Sequence, residues 1–202
     1  MRSFIHYVYK LVGHLICKVF LIYWNVRDIM MPPKEDAVLF VAHPDDDTLF
    51  FHSFIKENKP YVVLLTTGWS LRRIPGFFKA MKFYGVRFRV YDMETCDDRE
   101  KLLRRRIKYI FSLGRFKICA THNSTGEYGH KMHSRVHFAV VSESLVPVFV
   151  PVNRYVISNY PLDVYLIKEK QYIFNHFYTT ESWVLDQYSM WVDNEKLEFV
   201  IK

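Results

Sequence analysis

Cysteine is scarce in this 202-residue chain: Cys17, Cys96 and Cys119 are odd in number and far apart in sequence. They form neither a disulfide framework nor a zinc knuckle, which favours a reducing, intracellular compartment. Internal repeats and low-complexity segments are absent, and the length suits one domain able to bury its own core. Lys10 and Lys18 interrupt the long apolar stretch near the N-terminus. That leaves no clean run of about 18 residues for a membrane span. A secretory signal peptide is a poor fit too, because its apolar region should be uncharged and end in small residues. The densest basic run, residues 99–108, has no aromatic interleaving and no zinc-finger spacing, so nucleic-acid binding is not expected. Asp97, Asp98 and Glu100 lie at its start and all its cations but Arg99 follow, which complements the helix dipole and suits a solvated helix face.

What is present points to a globular protein. Half the residues are hydrophobic and 17% are aromatic, which excludes disorder. A net charge of +7 is compatible with nucleic acid, an anionic membrane or an anionic substrate. In residues 1–30, Arg2, His6, Lys10, His14 and Lys18 recur every fourth position among large apolar side chains. On a helix they draw one polar stripe. The expectation is a basic amphipathic helix lying peripherally on an anionic membrane surface. A snorkelling transmembrane helix and a helix packed on the body or on an oligomer partner are the alternatives. Pro32 and Pro33 then mark residues 31–36 as a linker to a domain spanning 37–202.

From Ala37 onward short β-branched runs alternate with helical spacing. Residues 37–42, 61–67, 87–91 and 117–121 read as buried strands; 48–57, 74–84, 98–113 and 130–143 read as helices. That rhythm predicts an α/β, Rossmann-like three-layer domain with a mostly parallel sheet. Residues 154–158 and 164–168 read as later strands, and the aromatic-rich 172–192 has no clear assignment.

Two segments carry chemistry. His43-Pro44-Asp45-Asp46-Asp47 follows the first strand, where an α/β sheet binds ligands. Three adjacent carboxylates need a cation or solvent nearby. His43 and Asp46, three apart across a turn, suit chelation of one metal, and nitrogen plus oxygen donors suit zinc. Asp45 is then free to act as a base. The second segment runs from Thr121 through His122, Gly126, Tyr128, Gly129 and His130 to His133, following the fourth strand. His130 and His133 share one face of a helix turn, opposite the carboxylates.

These segments resemble the PIG-L/LmbE-like zinc-dependent de-N-acetylases. The resemblance covers about residues 37–137 and rests on AHPDD at 42–46, TTG at 66–68, Arg73, Ala80, Tyr84-Gly85, and TH…G-x-Y-G-H-x-x-H at 121–133. It implies Zn(2+) held by His43, Asp46 and His133, with Asp45 as general base. It further implies that His130 protonates the leaving amine or stabilises the charged intermediate, that Tyr128 polarises the carbonyl, and that Arg73 contacts the substrate. Asp47, where the family carries Glu, is expected at the substrate, with a place behind the metal ligands or a purely structural one as the alternatives.

Other departures bear on substrate preference. Lys131-Met132 replaces a common Pro-Asp, Trp69 a small polar residue, and Gly76 a Glu. The implied activity is removal of an N-acetyl group from an N-acetylglucosamine-type glycoconjugate, including a lipid-linked one. Competing readings are an amidase acting on a thiol-sugar conjugate and a catalytically weak membrane-associated binding protein of the same fold. His52, His137 and His176 read as packing or surface residues. A role for His122 behind the metal is open. The aromatic residues 172–191 read as core, with Trp183 or Trp191 as the candidates to line a pocket.

Overall fold

The computed structural model describes residues 30–66, 72–91 and 99–200, together with Tyr23, Val26 and Arg27. The helix expected over residues 1–30 falls almost wholly outside the described residues, as do Thr67, Gly68, Trp69, Asp97 and Asp98. Among the described residues no helix is long and apolar enough to cross a membrane.

The first strand dictates the architecture. β1 (Ala37–Val41) reads AVLFV and is buried throughout. Ala37, Leu39 and Val41 join one core cluster, while Val38, Phe40 and Ala42 join another. A strand apolar on both faces must be covered on both, which is the condition of a parallel sheet layered between helices. The chain continues through α1 (Asp46–Asn58), β2 (Tyr61–Leu64), α2 (Ile74–Tyr84), β3 (Phe88–Val90), α3 (Arg99–Leu113) and β4 (Ile118–Ala120). Then come α4 (Lys131–Glu143), β5 (Val148–Pro151), α5 (Val164–His176), α6 (Val184–Gln187), α7 (Ser189–Val192) and β6 (Leu197–Val200). Side chains of α1, α2 and α5 fill the first core, and those of α3 and α4 fill the second.

The six strands lie in the order β3-β2-β1-β4-β5-β6, all parallel except β6. This is a Rossmann-like three-layer fold. Its order reverses between β1 and β4, so the loops leaving their carboxyl ends diverge into a crevice. Both chemistry-bearing segments emerge there.

Several sequence expectations hold and others are corrected. α2 spans the expected residues and ends at Gly85, whose φ of 67° closes it in the left-handed region. Residues 154–158 are not a strand. Asn153 Oδ1 accepts from the Tyr155 amide (3.0 Å), and the chain turns into a 3-10 segment, Ile157–Asn159. Residues 164–168 open α5 instead, because the Asp163 carboxylate caps the helix from the Tyr165 amide (2.7 Å) and Ile173 and Phe174 are buried farther along it. Cap and burial override the β-branched composition. β5 and β6 escape the sequence reading because each has only four residues, one ending in proline and the other a half-exposed edge. The linker is tied down as well: Arg87 grips Glu35 with two bonds of 2.6 and 2.7 Å.

Candidate metal centre

After β1 the chain must turn sharply to begin α1. The turn is made at Asp45, whose φ of 97° lies where side chains are rarely found, at a cost of about 1–3 kcal/mol. Its own backbone holds it there. Asp45 O accepts from the amides of Thr48 (3.0 Å) and Leu49 (2.9 Å), and the Asp45 amide donates to Asp47 Oδ1 (3.1 Å). The His43 amide donates to Asp46 Oδ2 (2.7 Å), which draws the two side chains together across the turn. Asp46 and Asp47 occupy the first turn of α1, where the helix end favours anions.

The loop after β4 is organised by Asn123. Its Oδ1 accepts from the amides of Thr125 (3.1 Å) and Glu127 (2.9 Å), and its Nδ2 donates to Pro151 O (3.1 Å). Gly126 is obligatory, since at φ 71° a Cβ would lie 2.3 Å from His130 O. Glu127 follows at φ 56°, and its carboxylate is buried beneath the histidines. His130 caps α4 by accepting from the Met132 amide at Nδ1 (3.3 Å). His133 then stands in the first turn of α4.

Three donor atoms converge at the switch point. His43 Nδ1 is 3.1 Å from His133 Nε2 and 3.4 Å from Asp46 Oδ2, and the latter two are 3.3 Å apart. Tetrahedral zinc with bonds of about 2.0–2.1 Å separates neighbouring donors by about 3.3–3.4 Å, so the triangle fits such an ion. Two other groupings among the described residues also have donor atoms within 4.8 Å: His43, His130 and His133, and Asp46, His122 and His133.

Proton bookkeeping favours the first set. His122 Nε2 accepts from the Ala42 amide (2.9 Å) and its Nδ1 faces Glu127 (3.1 Å), so neither nitrogen is free. At His130 the Met132 amide occupies Nδ1, which leaves the proton on Nε2. At His133, Nδ1 donates to Glu127 Oε2 (2.7 Å), leaving the Nε2 lone pair aimed at Asp46 and His43. A carboxylate behind an imidazole fixes the tautomer and strengthens it as a ligand.

The electrostatics have the same origin. Burial lowers the His43 ring, and burial with the neighbouring His133 and His43 rings holds His130 at about 4. For Asp46 burial acts upward, but the His133 and His122 rings outweigh it and hold the carboxyl well below the usual range. Burial also opposes ionisation of Glu127, yet His122 and His133 hold it at about 2. In turn, and against burial, Glu127 and Asp46 favour a second proton on His122, which could enter only by displacing the Ala42 amide from Nε2, while Asp46 is the main influence raising His133. Protons on these rings and a metal ion therefore compete for the same negative charge, and binding a metal releases protons.

The triangle opens into a cavity of about 400 Å³ walled in part by Asp45, Arg73, Tyr128, His130, Glu181 and Trp183. Burial, then the charge of Asp46, lifts Asp45 well above the usual carboxylate range, with Arg73 pulling the other way. Arg73 sits at the wall with its guanidinium engaged: 3.0 Å from Asp45 Oδ2, 3.0 Å from Glu181 Oε1 and donating to Pro44 O (2.8 Å). It holds the loop as much as it faces a ligand. The Tyr128 ring stacks on Tyr188 at 4.5 Å, and burial raises its hydroxyl pKa, so it stays a donor.

Asp47 is a correction. It does not line the cavity; it is fully buried, accepting from the Tyr178 hydroxyl (2.7 Å) and the Asp45 amide at Oδ1 and from the Thr48 hydroxyl (2.9 Å) at Oδ2. One step along a helix turns a side chain by about 100°, which sends Asp47 into the core when Asp46 faces the crevice. Burial raises its carboxyl to about 6. His52 packs against the Tyr84 hydroxyl (2.8 Å), and His176 is exposed. His137 does more than pack, since its Nδ1 donates to His122 O (2.8 Å) and steadies the loop. Trp183 lines the cavity, whereas Trp191 is core.

Glu127, Tyr178, Glu181 and Tyr188 were not legible as site residues. For Glu127 the usable signal is a carboxylate inside a histidine motif. Glu127→Gln is expected to weaken any metal binding at this triangle by about 10–100-fold, read by competition with a chelator. Unchanged affinity would mean the carboxylate does not support the ligand.

Comparisons with known proteins set limits on identity. No protein-family model matches the chain. It is similar to an uncharacterised protein, L374, of Acanthamoeba polyphaga mimivirus, at 23% identity over 124 residues, 51% of this chain and 55% of that one. The chain thus spans about half the length of that relative. Among solved structures it resembles the conserved protein TT1542 of Thermus thermophilus, with a TM-score of 0.52 and 14% identity over 83% of this chain and 94% of that one. It also resembles GalB, the 4-carboxy-2-hydroxymuconate hydratase of Pseudomonas putida, with a TM-score of 0.56 and 14% identity over 83% of this chain and 97% of that one. At such identities the likeness is one of fold.

Proposed function

We propose that the chain is a zinc-dependent hydrolase of the PIG-L/LmbE-like kind, removing an N-acetyl group from an N-acetylglucosamine-type glycoconjugate. The observation that carries this reading is the triangle of His43, Asp46 and His133 with the high-pKa carboxylate of Asp45 beside it in the same cavity. Zinc held there supplies a water acidic enough to ionise near neutral pH and polarises a carbonyl oxygen.

The remaining chemistry belongs to the side chains. Asp45 accepts a proton as a water oxygen bonds to the acetyl carbon, then delivers it to the nitrogen as the C–N bond breaks. The products are acetic acid and the amine, the acid passing its proton to the amine to leave acetate and an ammonium group, and Asp45 returns to its starting form. The Tyr128 hydroxyl donates to the carbonyl oxygen as negative charge builds on it. With its pKa near 4 and its proton on Nε2, His130 serves as a neutral hydrogen-bond donor to the charged intermediate rather than as the source of the amine's proton.

Zinc-loaded protein is expected to release acetate and an equal amount of amine from N-acetylglucosaminyl lipids or simple N-acetylglucosaminides, and a chelator should abolish the release. Acetate release only from a thiol-sugar conjugate would move the substrate class. Stoichiometric zinc with no acetate from any of the three would leave a binding protein.

A further inference from the structure

The C-terminal residues 178–181 lie beyond the segment that carries the family resemblance, yet they reach the loop that presents Asp45 by two separate routes. One route ends at its backbone. The Tyr178 hydroxyl donates to Asp47 Oδ1 (2.7 Å), the same oxygen that accepts from the Asp45 amide (3.1 Å). The other ends at its carboxylate: Glu181 Oε1 lies 3.0 Å from Arg73 Nε as an ion pair without hydrogen-bond geometry, and Arg73 Nη2 pairs with Asp45 Oδ2 (3.0 Å). Tyr178 and Glu181 are themselves locked together, since the Glu181 amide donates to Tyr178 O (2.7 Å) as the chain enters the 3-10 turn Thr179–Glu181. Both are buried.

The close approach of this segment has a cause in α2. A Cβ on Gly76 would lie 2.5 Å from Phe177 O and 3.0 Å from the Tyr178 ring. The glycine that stands where the resembled family carries Glu is therefore what lets the segment settle over the loop.

We propose that Tyr178 and Glu181 are positioning residues that hold Asp45 at both ends, amide and carboxylate, in the orientation from which it acts; this rests on the reading of Asp45 as the base. A residue at φ 97° has no local preference for that conformation, so its direction must be imposed by its neighbours. Tyr178 imposes it through Asp47, and Glu181 imposes it through Arg73. Neither needs to touch a substrate.

The test is a kinetic cycle on the full chain. Tyr178→Phe and Glu181→Gln are each expected to lower kcat by up to about 100-fold, the scale of a misplaced catalytic group, with KM and zinc content unchanged. In an Asp45→Asn background the same substitutions should lower kcat no further. Glu181→Asp should recover part of the loss, and Gly76→Ala should reproduce it by pushing the segment away. An equal fall in both backgrounds would make the two residues structural only and overturn the proposal. If Asp45→Asn itself turns over normally, the base reading fails instead. A crystal structure of Tyr178→Phe/Glu181→Gln decides the positioning without any assay: a rotated Asp45, parted from Arg73, is expected, and an unmoved one refutes it.

Discussion

Asp45→Asn is expected to slow hydrolysis by roughly two to four orders of magnitude, with bound zinc unchanged. The amide keeps the size of the carboxylate, and asparagine tolerates a positive φ as readily as any side chain. The backbone bonds from Thr48 and Leu49 to Asp45 O do not involve the side chain and should survive. What is lost is the capacity to accept a proton beside the metal triangle. Burial and the charge of Asp46 raise the affinity of Asp45 for that proton, against the pull of Arg73, and a base that binds its proton more firmly is a stronger one. The thermal midpoint should move little, because the easier burial of a neutral amide is set against the loss of one of the two carboxylates paired with Arg73. Near-normal turnover would place the base elsewhere. Asp47, buried with both oxygens bonded, could not take over, so Glu181 on the cavity wall would be the next residue to test.

Loss of any one ligand should be more severe. His43→Ala, Asp46→Ala and His133→Ala are each expected to lose stoichiometric zinc and all measurable turnover, whereas the exposed His176→Ala should lose neither. Each replacement removes one corner of the triangle and leaves two donors, too few to hold zinc against solvent and buffer. His133→Ala has a second consequence, since it removes the shorter of the two imidazole contacts on the buried Glu127 Oε2 and leaves only that of His122 (3.1 Å), a cost in stability as well as in metal. His130→Gln separates the competing three-histidine set from this one. It should keep zinc and lose rate, because His130 Nδ1 is taken by the Met132 amide. Zinc lost from His130→Gln and retained by Asp46→Asn, measured by metal analysis after dialysis, would transfer the centre to His43, His130 and His133.

The sequence by itself determined the parts of this protein that depend on near neighbours. β1 had to be buried on both faces because AVLFV offers no polar side, and that implied the parallel sheet and its helices. His43 and Asp46 had to meet because they are three apart at a strand-to-helix turn, and His130 and His133 repeat that spacing at the start of α4. α2 ends where Gly85 permits the left-handed cap. Only the tertiary structure decided the rest.

Whether 164–168 became strand or helix turned on the Asp163 cap and a buried stripe farther along α5, not on the β-branched run itself. That His122 Nε2 is occupied rather than bare follows from the Ala42 amide, 80 residues away in sequence. Asp47 looked like a third cavity carboxylate until the fold set Tyr178, 131 residues distant, against it. Chelation across one turn is a property of local spacing, which a sequence displays. Which buried lone pair is occupied depends on groups that only the sheet order brings together, and no local pattern records them.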